Sequence, residues 1–95
     1  MKYSIILSPE AKRSLEKMKG NDRSLIRDGI IKHLSYEPEK ISKSRIKRLK
    51  GIEKPQYRLR IENVRIYYDV RENTVEILAI IPKEMTAAWL ERYRN

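Results

Sequence analysis

Residues 56–70 alternate apolar and polar side chains, and the alternation is interrupted once, at Glu62-Asn63. A period of two on both sides of a two-residue turn predicts an antiparallel β-hairpin with one buried face. With Glu62-Asn63 as the loop, Arg60 lies opposite Arg65. The apolar side chains of both strands then share one face, so pattern and register agree. These apolar residues are Tyr57, Leu59, Ile61, Val64, Ile66 and Tyr68.

A strand and two helices are predicted before the hairpin. Residues 2–7 form the strand, and Ser8-Pro9 opens a helix because serine is a favoured N-cap and proline suits the first helical position. Gly20-Asn21 ends this helix, and Asp22 caps a second one that stops before Pro38. Short-linked helices of this kind form a helical hairpin. The second helix is expected to turn Leu25, Ile26, Ile30, His33 and Leu34 inward.

A third strand and a last helix follow the hairpin. After a turn at Glu72-Asn73, residues 74–81 are apolar on both faces, which predicts a strand in the middle of the sheet or under a covering helix. One face is assigned Val75, Ile77, Ala79 and Ile81, and the other Leu78 and Ile80. From about Lys83, a helix is expected to bring Met85, Ala88, Trp89 and Tyr93 to one side.

The order of these elements predicts an α+β fold. It contains an N-terminal strand, a helical hairpin, a three-stranded antiparallel meander and a C-terminal helix, with the helices packed on one face of the sheet. Residues 39–55 are expected to be the least regular part of the chain. No repeat or linker divides residues 1–95, so a single domain is predicted.

The net charge of the chain indicates what kind of molecule it binds. The chain has 22 Lys+Arg and 13 Asp+Glu, giving a formal net charge of +9. This excess favours a polyanionic partner, nucleic acid first and an acidic protein or membrane surface second. The absence of cysteine excludes disulfides and thiolate metal sites, and no pattern indicates a metal or another cofactor. Without a signal peptide or membrane span, a cytoplasmic protein is expected.

The polar face of the hairpin is the strongest candidate site. It carries Arg58, Arg60 and Arg65, with Tyr67 among them. Like charges directly opposite in a sheet are destabilising, so this cluster indicates an anion that binds there. Guanidinium groups match the geometry of phosphate and stay charged. The alternative is a solvated sheet face whose charge is relieved by Glu62, Asp69 or Glu76.

Three further features have two interpretations each. The basic segment 40–50, which includes Lys47 and Lys50, fits either a salt-dependent nucleic-acid footprint or a surface for an acidic protein. His33 is the only histidine, and a core or boundary position is favoured over a chemical role. Trp89 and Tyr93 at helical spacing fit a core, or an aromatic surface that stacks on an exposed base.

Four segments together resemble the RelE/ParE superfamily of toxins from type II toxin–antitoxin systems. They are residues 48–51 (RLKG), 57–61 (YRLRI), 64–68 (VRIYY) and 80–84 (IIPKE). The resemblance covers nearly the whole chain. It implies a mainly antiparallel sheet of four strands and a cognate antitoxin that wraps the toxin. In the RelE branch it implies metal-free cleavage of mRNA on the ribosome, by attack of a 2′-hydroxyl to leave a 2′,3′-cyclic phosphate. In the ParE branch it implies inhibition of DNA gyrase.

The resemblance also implies roles for individual residues. Arg58 and Arg60 match two basic positions of RelE-type enzymes, and Arg65 matches the arginine that holds the scissile phosphate. Lys83 matches a basic position that supports the charge developing in the transition state. Trp89 stands where such enzymes often have a catalytic tyrosine, and an indole cannot act as a general base.

The group that transfers the proton therefore stays open among Lys83, Glu84 and Tyr67, or catalysis depends mainly on orientation and charge. An mRNA endonuclease toxin is the favoured function, with Tyr67, Trp89, Tyr93, Lys47 and Lys50 contributing to RNA binding. The alternatives are a gyrase inhibitor and a corepressor that has lost its chemistry. In each case a toxin–antitoxin complex would bind operator DNA through the antitoxin.

Overall fold

The computed structural model describes residues 1–93 and contains a five-stranded sheet in the order β1-β5-β4-β3-β2. β1 pairs in parallel with β5, and the other neighbours are antiparallel. The predicted α+β fold is confirmed, with one strand more than expected. The strands are β1 (Ser4–Leu7), β2 (Ile46–Arg48), β3 (Tyr57–Ile61), β4 (Val64–Arg71) and β5 (Thr74–Pro82). The helices are α1 (Pro9–Glu16), α2 (Gly20–Leu34) and α3 (Thr86–Glu91), the last preceded by a 3₁₀ turn at Lys83–Met85.

The β3–β4 hairpin has the predicted register. Arg60 pairs with Arg65, and Ile61 pairs with Val64 beside the two-residue turn. Glu62, the first turn residue, has a φ of 52°, in the left-handed region that tight hairpin turns require. This agreement follows from the side-chain period of two, since a slip of one residue would expose every apolar residue of the strand.

The two N-terminal helices start at different kinds of cap. As predicted, Ser8 caps α1, and its Oγ accepts a hydrogen bond from the amide of Ala11 at 3.1 Å. The expectations that Gly20-Asn21 ends α1 and that Asp22 caps α2 are wrong, because α1 ends at Glu16 and α2 begins at Gly20 with Lys19 as its N-cap. Asp22 instead lies in the first turn, where a carboxylate interacts favourably with the helix dipole.

The inner face of α2 is narrower than predicted. Ile26, Ile30 and Leu34 are buried, and their spacing of four residues places them on one stripe. Leu25 is 49% exposed, which corrects its assignment to this stripe. Its position one residue before Ile26 rotates it about 100° around the helix axis. His33 is half-buried at the margin, as a boundary residue would be.

The main core lies between the two N-terminal helices and one face of the sheet. Ile26, Ile30 and Leu34 pack there with apolar residues of the central strands, including Leu59, Ile66 and Tyr68. The Tyr68 hydroxyl is fully buried and donates a hydrogen bond to the Pro38 carbonyl at 2.6 Å. We call this side of the sheet the helix face.

A β-bulge in β5 changes the predicted faces of this strand. Tyr67 pairs with Ala79 and Tyr68 pairs with Ile77, so Leu78 is an extra residue between them. The alternation therefore shifts after Ile77. Val75, Ile77 and Ile80 belong to the main core, whereas Leu78, Ala79 and Ile81 belong to a smaller cluster on the other face, which corrects the sequence assignment.

The segment expected to be irregular contains β2. Ser42 Oγ accepts hydrogen bonds from the amides of Arg45 and Ile46 at 3.1 and 3.0 Å, which fixes the chain just before the strand. Ile46 then pairs with Leu59 and is buried, because it faces the main core. Only three residues form this strand, so an alternating pattern is too short to recognise in the sequence.

The C-terminal helix α3 lies on the side of the sheet opposite α1 and α2. Trp89 of this helix is buried in the smaller cluster with Tyr67, Leu78 and Ala79. The prediction that all helices pack on one face is therefore wrong. Met85 and Ala88, which were expected beside Trp89, are exposed. No helix within residues 1–93 has the length and apolar character needed to cross a membrane.

Candidate functional site: a cationic sheet face

Three neighbouring strands bring basic side chains together on the side of the sheet opposite the helix face. Lys47 of β2 pairs with Arg58 of β3, which pairs in turn with Tyr67 of β4. One row further, Arg60 pairs with Arg65. Neighbouring strands lie about 4.8 Å apart, so these side chains are adjacent. We call this surface, formed by Lys47, Arg58, Arg60, Arg65 and Tyr67, the arginine face.

Arg65 is the most constrained cation of the arginine face. Only 9% of the residue is exposed. Its Nη1 donates hydrogen bonds to the carbonyls of Glu62 at 3.0 Å and Val64 at 3.2 Å. The guanidinium is thus held against the β3–β4 turn by neutral acceptors, which orient it without cancelling its charge.

Arg58 is half-buried beside it. Its Nη2 is 3.4 Å from the Arg45 carbonyl, and its Nε is shielded from solvent without a hydrogen-bond partner among the described residues. Burial lowers the pKa of Arg58 most, and the charge of Arg65 lowers it further, while Tyr67 raises it. Arginine nevertheless remains protonated in proteins, so Arg58 contributes a charge that its surroundings do not solvate fully.

Carboxylates do not neutralise this cluster. The ion pairs seen within residues 1–93 are Lys40–Glu37 and Arg92–Glu10, and neither includes a cation of the arginine face. Asp69 is one of the carboxylates that could have reduced the positive charge of this face. It instead accepts a hydrogen bond from the Gln56 amide at 2.8 Å. The cationic cluster is therefore available for an external anion.

Tyr67, Trp89 and Tyr93 form a continuous aromatic stack at one side of the arginine face. The Trp89 ring lies 5.0 Å from the Tyr67 ring and 4.8 Å from the Tyr93 ring. Trp89 is only 6% exposed, and its Nε1 donates a hydrogen bond to Glu10 Oε2 at 2.8 Å. Because so little of the indole is exposed, Trp89 supports Tyr67 and does not offer a surface to a base. Tyr93, half-buried at the end of the stack, is the more accessible ring.

Tyr67 is a poor candidate for the general base. Its ring is 3% exposed, and burial raises the pKa of its hydroxyl. A hydrogen bond with Thr86 and the charges of Arg58 and Arg65 act in the opposite direction but do not reverse the shift. The hydroxyl therefore keeps its proton near neutral pH.

The other candidate residues, Lys83, Glu84, Lys47 and Lys50, differ in their position relative to the arginine face. The backbone amide of Lys83 donates a hydrogen bond to the Asn63 carbonyl at 2.8 Å, so exposed Lys83 stands beside the β3–β4 turn and near Arg65. Glu84 is exposed next to it. Lys47 belongs to the arginine face, whereas Lys50 lies in the loop after β2 and outside the register that aligns Lys47 with Arg58.

One basic residue next to the site was not singled out from the sequence. The carbonyl of Arg45 accepts a hydrogen bond from the Arg60 amide at 2.9 Å, and Arg45 Nη1 donates to the Arg60 carbonyl at 3.0 Å. The triplet of Arg45, Ile46 and Lys47 has the charged–apolar–charged pattern of a half-buried strand. Surrounded by other lysines and arginines, this pattern was indistinguishable from a solvated basic loop. Within residues 1–93, no group of three or more His, Cys, Asp or Glu side chains is arranged to hold a metal ion.

Known proteins resemble the chain in sequence pattern and in fold. A family model described as ParE toxin of type II toxin–antitoxin system, parDE, matches residues 5–87. A comparison with curated proteins found no match.

Solved structures show the same fold at low sequence identity. A chain of the archaeal RelE–RelB complex from Pyrococcus horikoshii OT3 aligns with a TM-score of 0.70 and 22% identity, covering 87% of this chain and 97% of the other. A chain of the toxin–antitoxin complex RelBE2 from Mycobacterium tuberculosis aligns with a TM-score of 0.65 and 22% identity, covering 86% and 99%. The YoeB dimer from Staphylococcus aureus aligns with a TM-score of 0.58 and 22% identity, covering 83% and 94%.

Proposed function

Since the chain belongs to the ParE toxin family, within the RelE/ParE superfamily of type II toxin–antitoxin toxins, we propose that it arrests growth by cutting ribosome-bound mRNA. The observation that carries this proposal is the arginine face. Arg58, Arg60 and Arg65 are adjacent, and no carboxylate of residues 1–93 pairs with them. Three uncompensated guanidinium groups at adjacent positions of one sheet match the charge and geometry of an RNA phosphate.

The proposed reaction is an intramolecular transesterification. The 2′-oxygen of the ribose forms a bond to phosphorus while the bond from phosphorus to the 5′-oxygen breaks. The products are a 2′,3′-cyclic phosphate and a 5′-hydroxyl. Arg65 holds the scissile phosphate, Arg58 and Arg60 stabilise the negative charge that builds on its oxygens, and Lys83 adds a fourth positive charge. Preorganised donors of this kind lower the barrier because they need no reorganisation during the reaction.

Orientation and charge supply most of the catalysis in this scheme. The arginines do not accept the 2′-hydroxyl proton, because guanidinium does not deprotonate in proteins. Tyr67 keeps its own proton, so Lys83 and Glu84 are the candidates on this chain to take the 2′-hydroxyl proton and to give a proton to the departing 5′-oxygen. The ribosome is proposed to hold the mRNA in line for attack, which by itself gives a large rate advantage.

The proposal includes two further partners. The aligned chains from Pyrococcus and Mycobacterium come from toxin–antitoxin complexes, which supports a cognate antitoxin for this chain. A protein of net charge +9 favours an antitoxin with an acidic segment. We further propose that the resulting complex binds operator DNA through the antitoxin.

A second candidate function is inhibition of DNA gyrase. It is favoured by the family model, which is that of ParE toxins, and by the burial of Tyr67 and Trp89, which leaves neither the Tyr67 hydroxyl nor the Trp89 indole accessible for chemistry. In this case the arginine face would contact an acidic region of the target or DNA phosphates. The two candidates predict different molecular damage in the same growth-arrested cells.

Primer extension on mRNA from cells briefly expressing the chain tests the proposal. We expect new cuts within translated codons for the wild type and for Arg71→Ala, and none for Arg65→Ala. Arg71 is the matched control because it is an exposed arginine on the same strand as Arg65. Growth arrest without cuts, together with loss of supercoiling activity in a gyrase assay, would instead establish the second candidate.

A further inference from the structure

A polar cavity of about 290 Å³ adjoins the arginine face at the edge of the sheet. Its lining is Ser44, Arg45, Arg60, Glu62 and Asn63. Arg60 belongs both to this cavity and to the arginine face. The two therefore form one continuous surface across three strands.

Arg45 is fixed in position by its backbone and by one of its side-chain N–H groups. Its amide donates to Ser42 Oγ at 3.1 Å, and its carbonyl accepts from the Arg60 amide at 2.9 Å. Its Nη1 donates to the Arg60 carbonyl at 3.0 Å. The guanidinium is consequently anchored beside Arg60 while the rest of its donor edge stays exposed. Such a fork is preorganised to bind a planar or tetrahedral oxyanion.

Positive charge exceeds negative charge in the lining of the cavity. The lining has two arginines, the neutral polar residues Ser44 and Asn63, and a single carboxylate residue, Glu62. Neither Arg45 nor Arg60 lies within ion-pair distance of a carboxylate in the part of the chain that the structure describes. The cavity thus keeps a net positive charge that its own residues do not cancel.

From these observations we infer that the cavity is a second phosphate subsite, which binds a phosphate adjacent to the scissile one in the same RNA strand. The inference rests on the proposed function, because it needs an RNA strand on the arginine face. Arg60 is shared between the two subsites and aligns them. Arg45 then fixes the position of the strand, and does not take part in the bond changes.

Binding of a short single-stranded 2′-O-methyl RNA, which lacks the attacking hydroxyl, tests the subsite. We compare the wild type with Arg45→Gln, Arg45→Lys and the matched control Lys43→Gln. Lys43 lies in the same segment but does not line the cavity. Arg45→Gln is expected to weaken binding about tenfold at low salt. It should also lower the slope of log affinity against log salt concentration by about 0.7.

Two comparisons separate the subsite from a general effect of charge. Arg45→Lys should restore the salt slope but not the full affinity, because lysine lacks the bidentate fork. Lys43→Gln should change affinity much less than Arg45→Gln. Equal affinities for Lys43→Gln and Arg45→Gln would overturn the inference.

Replacing single phosphates of the RNA with neutral methylphosphonates identifies the bound phosphate. At one position next to the scissile phosphate, the replacement should weaken binding of the wild type and leave Arg45→Gln unaffected. If Arg45→Gln weakens binding to ribosomes while every replacement acts equally on wild type and variant, the cavity binds ribosomal RNA and the inference is wrong.

Failure of the subsite and failure of the proposed function give different results. If the wild type cuts ribosome-bound mRNA and Arg45→Gln binds RNA as tightly as Lys43→Gln, only the subsite is rejected. If the wild type makes no cuts in cells, the proposed function is rejected first. The subsite is then rejected as well, because it requires an RNA substrate on the arginine face, whatever effect Arg45→Gln has on RNA binding.

Discussion

The two faces of the β3–β4 hairpin arise from the same alternation of side chains, but one is apolar and buried while the other is cationic. On the helix face, Leu59 and Ile66 are fully buried against α1 and α2. On the arginine face, Arg60 is exposed and pairs across the strands with Arg65. The helix face therefore stabilises the fold because its apolar side chains are buried. The arginine face destabilises it, because the charges of Arg60 and Arg65 repel each other.

Adjacent tyrosines of β4 show the difference most directly. Tyr68 points into the main core, where its hydroxyl bonds to the Pro38 carbonyl. Tyr67 points to the other side, where it stacks on Trp89 next to Arg58 and Arg65. Both rings are buried, yet one belongs to the scaffold and the other to the wall of the candidate site. Burial alone therefore does not separate structural from functional residues in this protein.

The largest effect is expected from removing one charge of the Arg60–Arg65 pair. Arg60→Gln should lower the rate of mRNA cleavage about a hundredfold, because a preorganised donor is lost. The same variant should raise the free energy of unfolding by about 0.5 kcal/mol, because the repulsion across the strands is relieved. Cleavage on programmed ribosomes and urea unfolding measure the two quantities. Arg71→Gln, outside the arginine face, should change neither, and a joint loss of activity and stability in Arg60→Gln would indicate a structural role.

The two tyrosines should respond differently to loss of the hydroxyl. Tyr68→Phe leaves the buried Pro38 carbonyl without its donor and should cost about 1–3 kcal/mol of unfolding free energy. Tyr67→Phe should cost less than about 1 kcal/mol, because the ring stack remains and Thr86 is partly accessible to water. Urea unfolding of both variants checks this order, and a larger loss for Tyr67→Phe would contradict it.

Alkaline pH should lower the free energy of unfolding through Tyr68. Burial raises the pKa of Tyr68 in the folded protein, with Tyr57 and Glu39 adding to the shift. Above about pH 10, the unfolded chain loses a proton that the folded chain keeps, so stability falls as pH rises. The unfolding free energy measured between neutral pH and pH 11 should decline less steeply in Tyr68→Phe than in the wild type.

A smaller effect is expected where Gly29 of α2 packs against Ile61 of β3. A Cβ at Gly29 would lie 2.5 Å from Ile61 Cδ1. Gly29→Ala should therefore destabilise by about 1 kcal/mol despite its better helix propensity. In an Ile61→Val background, which lacks this Cδ1, the same change should be neutral or stabilising. Gly20→Ala, with no atom within 4 Å of its Cβ, serves as the control, and additive effects of the two changes would rule out the contact.

The smallest effect is expected at the link between α1 and α3. Glu10→Gln keeps an acceptor for the Trp89 N–H but loses the charge that faces Arg92 at 3.6 Å. Because that ion pair is exposed, the loss of stability should stay below about 1 kcal/mol. Tryptophan fluorescence should be unchanged in Glu10→Gln and shift to longer wavelength in Glu10→Ala. Glu16→Ala, an exposed change on the same helix, should leave the emission as it is.

Some features of the site were accessible to sequence reasoning because they depend on neighbours along the chain. The pairing of Arg60 with Arg65 follows from a two-residue turn between two segments of period two, which leaves a single register with all apolar residues on one face. The N-cap of α1 follows from Ser8-Pro9 in the same local way. The C-terminal part of the site was less accessible, since helical spacing alone could not say which sheet face Trp89 would meet.

The sequence by itself determined the hairpin, its register and the surface on which three arginines meet, because these depend on alternation and turn chemistry within fifteen residues. Tertiary structure decided the rest. Three features depend on segments distant in sequence: the bulge at Leu78, the pairing of β2, which places Lys47 beside Arg58, and the position of α3 on the opposite face. Their positions are set by which apolar surfaces remain to be covered once the hairpin has formed, and this is a property of the packed molecule.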